Sequence, residues 1–385
     1  MRNPQITLTL GSLFAILALV LPISTLFAQS LQPEPYKIAS WASPKGSMAN
    51  TFYTLQGFGT LLNFLNAHGG INGRTFEFST LEMDDTIVDF SANLDSLIRG
   101  TNPHLVVGGS CQNFASETAK YFQRTGKPWF GPWTNSPEIF SNRSDDPVGI
   151  LPTNLIEFAL LFDWAKTRLA PDKFLYFIID SGPTAEKTSA LARAQARRVG
   201  LEIKIISLPT GFRQWNNLAP LLENPGGIIL WTATGPAAAI RRTLANTISP
   251  GVFWMTHSLN TPSLELLTVT AGAWKDTIFP AVLIPSDEIP ETYITVFSKY
   301  APYGLNQNYQ SYLGFSQGQL MSRALAGLSN GRPSSQELLT SLRQVSTQGT
   351  LFAGERLPQN ALDPGGTYLA RAGTKGNWLK IITQP

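Results

Sequence analysis

The chain has 385 residues, 43% of them hydrophobic and only 14% charged, with a formal net charge of +3. That length suggests two domains, each with enough apolar material for its own core. The charge is small and the basic residues are scattered, with no Lys/Arg run and no stripe interleaved with aromatics, which argues against nucleic acid as a partner. At the N-terminus, Arg2 precedes an apolar run from Ile6 to Leu21, Pro22 breaks it, and Leu26-Phe27-Ala28 leads to Gln29. This pattern reads as a secretory signal peptide over residues 1–28, cut after Ala28. The alternative is a retained membrane anchor, because Ile6 to Ala28 is long enough to span a bilayer. No Cys follows the run, so a lipid anchor is not expected there. No second run of spanning length occurs, so the mature chain is expected to be soluble. Cys111 is the single cysteine, which rules out an intrachain disulfide and reads as a small buried residue.

Strand-like and helix-like segments then alternate. Tyr36 to Trp41 reads as a strand, and Phe52, Leu55, Phe58, Leu62 and Leu65 mark one face of a helix. Gly69 to Gly73 ends that helix. Thr75 to Met83 is the next strand, Phe90 to Ile98 a helix, Leu105 to Val107 a short buried strand, Phe114 to Phe122 a helix, and Pro128 to Trp133 an extended segment. The series restarts with a strand at Phe174 to Asp180, a helix at Ala185 to Val199 and a strand at Leu201 to Leu208. Trp215 to Leu222 reads as helix, Gly227 to Trp231 as strand, Pro236 to Ala245 as helix and Val252 to Met255 as extended. A polar helix at Gln317 to Leu328 follows a Tyr/Asn/Gln-rich stretch, and the Gly-rich tail from Leu351 to Pro385 carries little helix signal. Alternating strands and helices imply parallel sheets, and the near-continuous apolar strands imply sheets covered on both faces. The expected fold class is therefore α/β, with two Rossmann-like, doubly wound lobes.

Catalytic patterns are thin. Gly314-Phe315-Ser316-Gln317-Gly318 matches the G-x-S-x-G nucleophile elbow, which needs a buried strand before it and a histidine after it. The preceding Asn306 to Ser311 is polar, and His68, His104 and His257 all lie earlier. A glycine-containing helix packed on a neighbour is the better reading. The histidines lack thiol or carboxylate partners at metal-ligand spacing. Asp84 and Asp85 are adjacent at a strand end and point in opposite directions, so capping or a turn is favoured over paired acid–base work. No dinucleotide or P-loop glycine motif follows any strand. The chain is read as a binder that is not an enzyme, with no cofactor and no metal.

Asn66-Ala67-His68-Gly69-Gly70-Ile71-Asn72-Gly73-Arg74, followed by Glu82-Met83-Asp84-Asp85, resembles a signature of the periplasmic binding proteins of the branched-chain amino acid type. Gly108-Gly109 with the loop Ser110 to Asn113, and later Trp133-Thr134-Asn135-Ser136-Pro137, are similar to further elements of that family. The resemblance runs in order from Tyr36 to Trp254, and more weakly to the end. It implies two lobes joined by a three-crossing hinge, 36–152 with 284–350 and 153–283 with 351–385. It also implies a small-molecule ligand in the cleft, delivery to the membrane subunits of an ABC permease, a periplasmic location and a monomer. A periplasmic sensor of the same fold, signalling to a partner protein, is the alternative. An accessory protein without a ligand is a third possibility.

Open parallel sheets bind ligands beyond their strands' carboxyl ends, and pockets favour domain interfaces. The candidate loops are therefore Ser43 to Ala49, Ser110 to Phe114, Trp133 to Ser136, Ser181 to Thr184 and Thr232 to Gly235. By the resemblance, Gln112 and Asn113 take the place of the family's carboxylate-binding Ser, at a helix N-terminus suited to an anion. Trp133 and Asn135 stand where the family contacts the ligand's amine and carboxylate, and Thr184 where many members place a Tyr. Trp231 and Thr232 are expected to face the cleft from the second lobe and Trp41 from the first, with Tyr309 and Tyr312 as weaker candidates. The family's amino acid binders carry an acidic residue after the strand corresponding to Gly227 to Trp231. Here that loop reads Thr232-Ala233-Thr234-Gly235-Pro236-Ala237. A buried ammonium without a counter-charge is costly, so an amide, a urea-like compound or a small aromatic or aliphatic molecule is expected in preference to a standard amino acid.

Overall fold

The structure is a computed structural model that describes residues 33–381, apart from 43–50, 84–88, 110, 142, 262, 306 and 329–332 and the side chains of 112, 264 and 265. The expected signal peptide at 1–28, the loop Ser43 to Ala49, Ser110 and the Asp84-Asp85 pair lie outside the described residues.

The first sheet is built in βα units: β1 (Tyr36–Ala42), α1 (Thr51–Ala67), β2 (Phe76–Glu82), α2 (Phe90–Thr101), β3 (Leu105–Val107), α3 (Ala115–Thr125) and β4 (Trp129–Phe130). The strands run parallel in the order β2-β1-β3-β4. Along β1 the side chains alternate between two cores. Tyr36, Ile38 and Ala42 pack on one face, and Ala39 and Trp41 on the other with Phe90, Phe122 and Trp129. A strand buried on both faces has no polar side to show, which is why the segment reads as an apolar run.

The second sheet follows with α4 (Asn154–Lys166), β5 (Phe174–Asp180), α5 (Ala185–Arg198), β6 (Ile203–Leu208), β7 (Pro225–Trp231), α6 (Thr234–Leu244), β8 (Phe253–Thr256), α7 (Leu264–Val269) and β9 (Ile278–Ala281). Next come α8 (Glu291–Tyr300), α9 (Tyr309–Ala326) and α10 (Ser335–Gln344), and then β10 (Tyr368–Ala372) and β11 (Trp378–Lys380). This sheet has seven strands, ordered β11-β10-β9-β8-β7-β5-β6. Strands β5 to β9 pair in parallel, whereas β10 lies antiparallel to β9 and β11 antiparallel to β10. The purely parallel expectation thus needs one correction: the Gly-rich tail forms a hairpin on one edge. The same alternation appears in β5, with Tyr176 and Ile178 in one core and Leu175, Phe177 and Ile179 in the other.

Other boundaries differ for local reasons. The segment Trp215–Leu221 is a 3₁₀ turn rather than an α-helix, with Pro220 inside it; proline has no N–H to donate and its ring crowds the preceding turn. Only Trp129–Phe130 of the extended segment pairs as strand. Helix α9 begins at Tyr309, because Asn308 and Ser311 form a reciprocal cap. Its polar residues Gln310, Ser311, Ser316 and Gln317 are buried and do not face solvent. The long apolar run of α4 has no polar face to give a helical period, and it was not legible as a helix.

Helix α9 lies directly on α1. A methyl group at Gly314 would overlap the Thr54 carbonyl, and one at Gly57 the Ser311 carbonyl. The two backbones approach closely only because both positions are glycine. Ser316 of the G-x-S-x-G pattern therefore sits mid-helix, with its hydroxyl buried and unpartnered. It is not at a strand-to-helix elbow.

Candidate functional site

Both sheets are doubly wound about a reversal in strand order, between β1 and β3 in one and between β5 and β7 in the other. Helices leave to opposite faces at such a point, and a crevice opens beyond the carboxyl ends. A cavity of about 750 Å³ lies there, bounded by residues after β4, β5, β6, β7 and β8. That size matches pockets that enclose a small organic molecule.

Strand β7 delivers Trp231 and Thr232 to this cavity. The Trp231 ring rests on Phe158 at 4.4 Å and on Phe177 at 5.7 Å, with His257 edge-on at 5.2 Å. It forms a wall that side-chain packing fixes in place. His257 is buried, which pushes its pKa down to about 4, so the ring is neutral. Its Nδ1 accepts from the Leu259 N–H at 3.2 Å, which leaves Nε2–H to donate to the Thr232 carbonyl at 3.0 Å. Thr184 stands at the start of α5, and Asn113 in the 3₁₀ turn that runs into α3. With the start of α6 at Ala233, three helix N-termini border the cavity, each carrying unsatisfied N–H groups and partial positive charge.

One of those N-termini is occupied. The Asp180 carboxylate, at the end of β5, accepts the Ala233 N–H at 2.8 Å. Burial raises its pKa, while the Ala233 N–H and the Arg213 charge pull it back. The missing carboxylate of the Thr232 to Ala237 loop therefore has a counterpart one strand away, and one of its oxygens is engaged by backbone. The loop after β6 brings Phe212, Arg213 and Trp215, with Phe212 and Trp215 meeting edge to face at 5.3 Å.

Of the sequence candidates, Asn113, Asn135, Thr184, Trp231 and Thr232 come together around the cavity. Gln112 opens the 3₁₀ turn next to Asn113, but its side chain is outside the described residues. Trp41, Trp133 and Tyr309 are elsewhere. Trp41 stacks against the Phe122 and Trp129 pair, 6.3 Å from each ring. Trp133 is fully buried, and its Nε1–H donates to Gln317 at 2.9 Å. Both indoles press against Gly108 and Gly109, where any side chain would collide with them. That packing, and not a ligand, explains the glycine pair. The Tyr309 hydroxyl accepts the Val282 N–H at 2.7 Å, so it ties α9 to the segment after β9, and Tyr312 packs against Phe297 and Trp378.

The cavity also uses residues that the sequence reading passed over. Pro209 to Trp215 is itself a loop after a strand, β6, and Asp180 is the last residue of β5. Glu157 carried a different signal: a lone acid within the apolar run Leu155 to Phe162. It is fully buried, and burial pushes its pKa up to about 8. Its Oε1 accepts from both the N–H (3.2 Å) and the hydroxyl of Ser258, and its Oε2 accepts from Asn135 Nδ2 at 3.1 Å.

Residues 35–377 match the model of the periplasmic binding protein family. No curated protein matches the chain. Among solved structures, a possible leucine/isoleucine/valine-binding protein from Rhodopirellula baltica aligns with a TM-score of 0.77 at 15% identity, covering 91% of this chain and 97% of that one. A fatty acid ABC transporter substrate-binding protein from Thermomonospora curvata aligns at 0.75 and 14%, covering 90% and 91%. A solute-binding protein of an ABC transporter from R. palustris, in complex with benzoate, aligns at 0.69 and 16%, covering 90% and 95%. At these identities the likeness is one of fold, and the ligands named for the three differ.

Proposed function

The chain belongs to the periplasmic binding protein family, and we propose that it captures a small organic solute in the cleft and hands it to the membrane subunits of an ABC permease. In this reading the protein works as a monomer outside the cytoplasmic membrane after its N-terminal signal is removed, and it has no catalytic role. The solute is an amide, a urea-like compound or a small aromatic or aliphatic molecule, in preference to a standard amino acid.

The cavity at the carboxyl ends of the second sheet, walled by Trp231, carries this proposal. Trp231, Phe212, Trp215 and Leu259 offer apolar surface to a flat or aliphatic body, and Asn113, Asn135 and Thr184 offer hydrogen bonds to a polar head. Among the described residues, Asp180 is the one carboxylate that lines it, and the Ala233 N–H already engages that group. An α-ammonium entering here would compete with backbone for its counter-ion, and any shortfall in a low-dielectric site is costly. The benzoate bound by the R. palustris protein and the fatty acid named for the T. curvata one are apolar bodies with a single polar head, the same design that these lining residues suit.

Calorimetric titration of the purified chain with benzoate, benzamide, acetamide, urea and leucine tests the proposal. Binding of one or more of the first four, with leucine weak or silent, is the expected result. Tight binding of leucine alone would refute the assigned solute class.

A further inference from the structure

The candidate site contains a polar chain that runs out of the cavity into the packed interior: Asn135, then Glu157, then Ser258. Asn135 lines the cavity from the loop after β4, Glu157 sits in the first turn of α4, and Ser258 follows β8. The Asn135 backbone is pinned, since its carbonyl accepts the Asn154 N–H at 2.7 Å. What remains free is rotation of its amide, and Glu157 decides that. Both donors of Ser258 converge on Oε1, which leaves Oε2 to receive Asn135 Nδ2 at 3.1 Å. An amide has one donor end and one acceptor end. With Nδ2 committed to Glu157, Oδ1 is turned away, and it is buried without a hydrogen-bond partner. A buried amide oxygen costs free energy until a donor reaches it.

We propose that Glu157 is a positioning residue that, when ionised, locks the Asn135 amide with Oδ1 toward the cavity, so that in that state the site takes solutes carrying an N–H or O–H donor, such as primary amides and phenols. This rests on reading the cavity as the solute site, and it narrows the solute class. The groups around Glu157 leave it as the one that titrates near neutrality. Tyr309, at the start of α9, has its pKa raised by burial and feels the Glu157 charge. His257, beside Ser258, stays neutral down to about pH 4. No cation contributes to the Glu157 environment among the described residues. At pH 9 the carboxylate is ionised and only accepts. At pH 6 it carries a proton that it can donate to Asn135 Oδ1, turning the amide over. Glu157→Gln copies the second state at every pH, because its Oε1 stays with the two Ser258 donors and its Nε2 faces Asn135.

The test is calorimetric titration of the wild-type chain and Glu157→Gln with benzamide and with benzoate, which share a ring but differ in having a donor. In wild type the benzamide-to-benzoate affinity ratio should fall about tenfold from pH 9 to pH 6, the factor for one hydrogen bond made or lost. In Glu157→Gln it should be low and flat with pH. Asn135→Leu should also give a flat ratio, which separates positioning from a general change in packing. A wild-type ratio that ignores both pH and the Glu157→Gln substitution overturns the proposal. If benzamide fails to bind while benzoate or an aliphatic solute binds, the donor requirement is wrong and the receptor reading stands. If no solute of the panel binds, both fail.

Discussion

Glu157→Gln should also change how stability depends on pH, independently of any ligand. Burial moves the Glu157 pKa from an ordinary 4.5 to about 8. Between those values the unfolded chain has released a proton that the folded chain keeps. The contribution is therefore fully present below about pH 4.5 and is lost as pH rises through about 8, falling by about 1.4 kcal/mol per pH unit in between. The total is about 5 kcal/mol, a large share of the stability of an ordinary domain. Gln carries no proton to lose, so its stability lacks this slope. All other titrating groups are common to both chains and cancel in the difference. Guanidinium denaturation of wild type and variant at pH 5, 7 and 9 reads the effect directly. Wild type should lose ground on Glu157→Gln by several kcal/mol across that range, most of it between pH 5 and 8. Parallel stability curves would show that Glu157 ionises normally and that the buried chain from Asn135 to Ser258 is wrongly described.

Other substitutions probe the frame and the wall of the cleft. Gly314→Ala should destabilise the protein by about 3 kcal/mol or more, because the added methyl meets the Thr54 backbone and cannot be relieved by a side-chain shift; thermal denaturation measures it. Ser316→Ala, two residues on, should be neutral or slightly stabilising in the same assay, since it removes a buried hydroxyl that has no partner. Gln317→Leu strips the bonds to Trp133 Nε1 and to the Phe130 and Gly131 carbonyls and should cost about 2–3 kcal/mol. Trp231→Ala should weaken binding of any solute in the cleft by about 2 kcal/mol or more, seen by calorimetry, with modest change in secondary structure by circular dichroism.

The fold was legible where strands alternate with amphipathic helices, because βα units write their period into the chain. It was obscured where the pattern loses its helical period: the run Leu155 to Phe162 of α4 is apolar but for Glu157, and α9 buries Gln310 and Gln317 against other parts of the chain. The tail hairpin gave little signal because its strands are short and sit among glycines. Within the site, position along the chain found the loops after β5 and β7, yet it could not tell which way a tryptophan turns. Trp231 reaches the cavity, while Trp41 and Trp133 turn back onto Gly108 and Gly109. Nor could it pair Asn135 with Glu157, since only the folded chain brings the loop after β4 against the first turn of α4.

Native mass spectrometry of the chain purified from its own host tests the central claim most directly. The account predicts a co-purified small organic molecule with an apolar body and a hydrogen-bonding head, lost from Trp231→Ala. Recovery of leucine or another standard α-amino acid, retained equally by Trp231→Ala, would contradict it.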